Sequence, residues 1–199
     1  ATTEIYTLSL HDALPISFDD SSGNSYAGIT NATTLNFTVI DTTAPTIVFD
    51  PVGSATGVAV TSNITLTFNE AIRNTDDSLL TNSNVGSLIT LKDANSSGSD
   101  ISFVATIDSA LKVITINPTS NFSSEQVIYI AIGTTVEDTS DNAISASSAT
   151  FTVADSTAPT LVFDPDDLET GVAAASNITL TFTEAVRNTD DTALTDSNV

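Results

Sequence analysis

The sequence predicts an all-β chain built as two-sheet sandwiches repeated in tandem, and three observations carry that prediction. Residues 41–85 return at 155–199 without a gap, with 32 identities in 45 positions and a shift of 155 − 41 = 114 residues. Short runs rich in Val, Ile, Thr and Phe alternate with clusters of Ser, Thr, Asn and Asp, the pattern of strands joined by polar turns. Helical periodicity is nowhere sustained. Repeats at a fixed period decide the architecture before any single element does.

One whole period, 41–154, divides into seven strands. TIVFD (46–50) opens it after the linker DTTAPT. NITLTFN (63–69) shows the clearest alternation, with Ile64, Leu66 and Phe68 on one face and Thr65 and Thr67 on the other. The polar segment EAIRNTDDSLLTNSNV (70–85) is long enough for a helical turn. SLITLKD (87–93) and ISFVATID (101–108) flank the turn NSSGSD, and DSALK (108–112) makes a tight hairpin into KVITINP (112–118). TSNFSSEQ (119–126) turns the chain into QVIYIAIG (126–133), and SATFTVA (148–154) closes the period. Seven strands at this spacing point to a sandwich of Ig-like type.

The ends read differently. Residues 17–40 carry the closing strand or strands of a preceding repeat, since NFTVIDTTAP (36–45) mirrors TFTVADSTAP (150–159). Residues 155–199 are the opening of a following one. Residues 1–16 fit neither: EIYTLSLHDALPI is what a common short-read sequencing adapter encodes when translated, so the segment is excluded from fold reasoning together with His11, the single histidine.

The formal charge is −21; without Glu4 and Asp12 of the first sixteen residues it is −21 + 2 = −19, with only Arg73, Lys92, Lys112 and Arg187 positive. Such a surface repels nucleic acid and anionic membranes, which need clustered Lys and Arg. The hydrophobic content of 40%, arranged in patterned runs, argues against disorder. Cysteine is absent, so no disulfide framework exists, and a domain of this size can bury a core without one. No apolar run is long enough to span a bilayer.

The linker D-[ST]-T-A-P-T, a strand ending in Asp-Pro, then T-G-V-A and N-I-T-L-T-F-x-E-A, resembles the opening of the bacterial Ig-like domain family described in S-layer proteins. EDTSDNAIS…ATFTVA (137–154) resembles that family's ending, and DDSSGN (19–24) is closer still, with Gly before Asn. The resemblance covers essentially 17–199. It implies a structural building block of long secreted or cell-surface bacterial proteins, often adhesins or envelope layers and sometimes linkers in secreted enzymes.

Catalysis finds little support. With His11 set aside there is no histidine or cysteine for nucleophilic or acid–base work, no glycine-rich phosphate loop, and no His/Cys metal site. Paired carboxylates could serve a glycosidase, but here the acidic phrase recurs with the repeat. Calcium is the sharper expectation. In an Ig-like strand order Asp41, Glu70, Asp76, Asp77, Glu137, Asp138 and Asp141 come to the N-terminal pole from three segments, where they face the preceding repeat. Hard oxygen ligands, about six to eight per ion, are what calcium takes, and the ion removes the repulsion between clustered acids. Asp155, Glu184, Asp190 and Asp191 repeat the set in the next copy. Against this, Asp and Asn also favour turns for backbone reasons, and no EF-hand loop is present.

Arg73 and Arg187 share a repeat position amid acids and are expected to form structural ion pairs. Ala44-Pro45 and Ala158-Pro159 stiffen the linkers. The expected function is a non-catalytic stalk of a secreted or surface bacterial protein, whose partners are the neighbouring repeats of its own chain. The alternatives are an accessory region of a large secreted hydrolase and a module gripping glycans or surfaces; the second would be supported by exposed aromatics, and only Tyr6, Tyr26 and Tyr129 are tyrosines.

Overall fold

The computed structural model describes residues 19–25 and 38–195 and contains two units, Ala1–Thr42 and Thr43–Val199. The adapter-like residues 1–16, with His11, lie outside the described residues, as does most of the expected closing segment 17–40. What is described of the first unit includes a tight turn. Ser22 and Asn24 donate their backbone N–H groups to Asp20 Oδ1 at 2.9 and 2.8 Å, and the Asn24 amide donates to Oδ2. Gly23 sits in the left-handed region at φ +81°.

In the second unit the described residues are all β apart from one 3-10 turn. Alternation places apolar side chains on one face of each strand, and burying those faces against one another forces two sheets. The first sheet has the order β1 (Ile47–Asp50), β2 (Ile64–Phe68), β6 (Val113–Pro118) and β5 (Phe103–Ile107); the second has β4 (Ile89–Asp93), β7 (Val127–Ile132) and β9 (Ser147–Thr152). All these neighbours are antiparallel. Four strands over three in this order is the seven-stranded Ig-like sandwich. Its core holds Phe49, Ile64, Leu66 and Phe68 from the first sheet, with Ile128, Ile130, Ile132 and Phe151 from the second. Phe122 closes one end, meeting Phe151 edge to face with ring centroids 5.9 Å apart.

Three features lie outside the alternation. The short strands β3 (Arg73–Asn74) and β8 (Val136–Glu137) pair with each other and pin the long 70–85 segment to the body. The helical turn of that region falls at its end, Val85–Leu88. Residues 54–58 leave the first sheet and run parallel to β9: Ser54 N–H donates to Thr150 O, Thr152 N–H to Ala55 O, Val58 N–H to Thr152 O, and Ala154 N–H to Val58 O, at 2.7–3.2 Å. That run covers an edge which would otherwise offer its unpaired groups to other chains.

After Ala154 the chain makes only two more described strands, β10 (Leu161–Asp164) and β11 (Thr179–Phe182), which pair with each other. Leu161 faces Phe182 as Ile47 faces Phe68, and Asp164 faces Thr179 as Asp50 faces Thr65. Asp50-Pro51 and Asp164-Pro165 are both cis. The turn recurs as well. Asn74 N–H donates to Ser78 O and Ser78 N–H to Asp76 Oδ1; likewise Asn188 N–H donates to Thr192 O and Thr192 N–H to Asp190 Oδ1.

Candidate functional site

The acidic pole of the sandwich is assembled by β2, β3 and β8. Strand β2 delivers Glu70 just past its end, β3 carries Arg73 into the turn, and β8 ends in Glu137 beside Asp138. The structure brings the expected acids together in two groups rather than one. Asp41 belongs to the first unit and is exposed.

The first group surrounds Arg73. Its Nη2 lies 2.7 Å from Asp77 Oδ1 and also bonds Asp141, while Nε stands 3.3 Å from Glu137 Oε1. Nε is buried and its approach to Glu137 is ionic, without hydrogen-bond alignment. Glu137 is itself buried, so the guanidinium supplies the positive charge that its carboxylate needs out of water. Carboxylate oxygens of Asp77, Glu137 and Asp141 lie within 4.8 Å of one another, close enough to share an ion, but a side-chain cation already sits among them. Asp141 holds φ +68°, where the first unit's equivalent turn uses Gly23.

The second group is Glu70 with Asp138, whose carboxylate oxygens approach within 4.8 Å. Asp138 is buried and fully engaged: Ser140 and Asn142 donate backbone N–H groups to Oδ1 at 2.7 and 3.0 Å, and the Asn142 amide donates to Oδ2 at 2.9 Å. Burial works against its charge, but the two Asn142 bonds, the Ser140 N–H and the charge of Arg73 outweigh burial and hold the carboxyl below its ordinary range. Asp76 stands apart. Its carboxyl is held low by the Ser78 hydroxyl and then the Ser78 N–H, which makes it a turn residue.

At the opposite pole Asp155 and Glu184 meet each other. The Ser124 hydroxyl donates to Asp155 Oδ1 at 2.7 Å, Thr157 N–H donates to the same oxygen at 2.9 Å, and Ser156 N–H donates to Ser124 Oγ at 2.8 Å. These bonds, the Ser124 one foremost, lower the Asp155 pKa. Glu184 moves the other way: desolvation raises it first, then the charge of Asp155, a hydrogen bond with it, and the charge of Glu125. Asp190 repeats the Asp76 turn, lowered by the Thr192 hydroxyl and N–H, and Asp191 pairs with Arg187 at 3.1 Å.

Sequence reasoning missed Ser124 and Glu125. They sit in a loop legible only as a turn, and nothing in TSNFSSEQ marks it as the partner of the next linker. The structure also places Tyr129 in mid-strand on β7, between Lys92 of β4 and Thr150 of β9.

Comparison with known proteins gives a family and little beyond it. No curated protein matches this chain. Among solved structures, CopC from Methylosinus trichosporium OB3b is similar at 14% identity and a TM-score of 0.39, over 57% of this chain and 97% of that one. An LD transpeptidase, LdtMt1, solved in complex with imipenem, is similar at 12% identity and a TM-score of 0.35, over 60% of this chain and 42% of that one. No helix among the described residues is long and apolar enough to cross a membrane. The family model described as "Bacterial Ig-like domain" matches residues 41–153, the span that folds into the seven-stranded sandwich and its acidic pole. The chain belongs to the bacterial Ig-like domain family.

Proposed function

We propose that this chain is a non-catalytic spacer of a secreted or cell-surface bacterial protein of the adhesin or S-layer kind, rigidified by calcium where one sandwich meets the next. One observation carries the reading: the linker after Ala154 is tied to the β6–β7 loop by the Ser124–Asp155–Ser156–Thr157 hydrogen bonds, so the far end of the sandwich grips the next segment of the chain. A module whose work is to hold distance needs such a joint, and the Ala158-Pro159 step just beyond it restricts the backbone further.

Calcium suits the crowding of carboxylates at both poles. Glu70 stands beside the hydrogen-bonded Asp138 at one, and Asp155, Glu184 and Glu125 lie near one another at the other. Desolvation first, and then the charge of Asp155, raise the pKa of Glu184; a divalent ion would remove the second of these costs. Asp77, Glu137 and Asp141 are the weaker ligands of the set, because Arg73 already answers their charge.

Two measurements test the reading. Thermal midpoints with millimolar calcium and with chelator should differ by several degrees; identical midpoints sink the calcium part. Limited proteolysis between 154 and 160 should be slow in the parent chain and fast once Ser124→Ala and Asp155→Ala remove the joint. Equal cleavage in the two proteins would sink the spacer.

A further inference from the structure

We propose that the sandwich carries a binding groove for a neutral N-acetylated sugar, over the ends of β2, β5 and β6. Two cavities meet there. The larger, of about 270 Å3, is lined by Ser102, Gln126 and the run 119–123. The smaller, of about 40 Å3, is lined by Val60, Thr61, Ser62, Asn117 and Pro118, and Ser120 and Asn121 border both. The next segment of the chain leaves from β9 in the other sheet, and the groove stays open with residues 155–195 in place.

The frame of the groove is fixed by its backbone. Phe122 N–H donates to Val60 O at 2.9 Å, and Thr119 donates its N–H and its hydroxyl to Ser102 O at 2.9 and 3.2 Å. Gln126 Oε1 accepts Ser123 N–H at 2.8 Å. The side chains between those anchors are unspent. In other loops the polar side chains close their own turns: Asn84, Asn95, Asp108 and Asp138 each accept a backbone N–H. By contrast, the hydroxyls of Ser102, Ser120 and Ser123 and the amides of Asn117 and Asn121 make no hydrogen bond among the described residues. Hydroxyls and amides on a fixed frame, with donors and acceptors to spare, suit a ligand that is itself covered with hydroxyls.

Charge narrows the class. Neither cavity is lined by an acidic or basic residue, in a chain with 25 acids against four Lys and Arg. An anionic sugar would meet the field of that excess with no cation to hold it, and a metal ion would find no carboxylate. The smaller cavity narrows it further. Val60 and Pro118 offer apolar surface beside the amide residues Asn117 and Asn121. That is the chemistry an acetamido group needs: a place for its methyl, an acceptor for its N–H and a donor for its carbonyl. The sugar ring then lies in the larger cavity, within reach of the free serine hydroxyls.

The test titrates the full chain with N-acetylglucosamine in the millimolar range and follows backbone amide shifts. Shifts should gather at Thr61, Ser62 and residues 119–123 and leave β10 and β11 unmoved. Glucose, which lacks the acetamido group, should bind about tenfold more weakly, and glucuronic acid should leave the spectrum unchanged. Asn121→Ala should weaken binding by about tenfold at an unaltered unfolding midpoint, because Asn121 is exposed and outside the core. The proposal is overturned if N-acetylglucosamine moves none of these amides, if glycerol moves them equally, if glucose binds as well, or if Asn121→Ala leaves the affinity unchanged. The Ser124–Asp155 joint plays no part in any of these outcomes, so the spacer reading stands or falls separately.

Discussion

Phe49, Ile64, Leu66 and Phe68 are 0–8% exposed, while Phe163, Ile178, Leu180 and Phe182, the same residue types 114 positions on, stand at 39–72%. Two nearly identical stretches thus give the same strand pair in the same register, with opposite fates for their apolar faces. Their difference separates what a segment specifies alone from what it needs others to complete. The β1–β2 ladder, the cis Asp-Pro step and the Asn-Thr-Asp-Asp turn appear in both copies, because all the groups that make them lie within the repeated stretch itself. Burial appears in one copy only, because it needs strands contributed by residues 85–152.

The sharpest way to break this comparison is to truncate the same side chain twice. Leu66→Ala should lower unfolding free energy by about 3 kcal/mol, as a buried leucine leaves a cavity. Leu180→Ala should change it by less than about 0.5 kcal/mol, as at an exposed site. Urea melts of the two variants would show it, and equal losses would mean that β11 is buried in solution. The arginines come next. Arg73→Ala strands buried Glu137 and should cost roughly 2 to 3 kcal/mol; Arg187→Ala removes only an exposed pair with Asp191, under about 1 kcal/mol. Gly98 sharpens the contrast from inside the sandwich. A Cβ there would sit 1.6 Å from Asp93 O, so Gly98→Ala must displace the β4–β5 turn and should cost about 1 to 2 kcal/mol by the same melts.

Acid sensitivity gives a smaller signal. Asp138 and Asp108 have carboxyls held below their unfolded value, Asp138 against burial by the Asn142 bonds, and Asp108 chiefly by the Val113 and Lys112 N–H groups. Their contribution is therefore present above the ordinary carboxylate range and is lost as pH falls through the lower folded values. Asp138→Asn should flatten the acid limb of the stability–pH curve. Glu184 has the opposite sign: raised in the folded chain, it contributes below its folded pKa and is lost as pH rises through it. Glu184→Gln should remove that loss without changing the Asp138 limb.

The seven long strands were legible because each carries its own alternation, and each falls within two residues of its expected bounds. The two-residue strands Arg73–Asn74 and Val136–Glu137 were not, since a pairing that short has no period of its own and exists only where the fold brings it together. The run 54–58 was hidden for the same reason, with Gly57 at φ +70° interrupting any strand pattern. At the site, loop order carried the acids to one pole, but the sequence could not show that Arg73 would divide them. It was legible as an ion pair, not as the cation at the centre of three carboxylates.

The covering of β9 by residues 54–58 has a mechanical consequence. The two segments run parallel, one near the beginning of the sandwich and the other at its end, joined by four backbone hydrogen bonds. Tension applied through the two chain ends pulls them past each other in opposite directions. All four bonds are then strained together, in shear, instead of opening one after another like a zip. Once the β1–β2 ladder upstream of it has parted, this patch resists further stretching through the backbone groups of Ser54–Val58 and Thr150–Ala154 rather than through the deeply buried core.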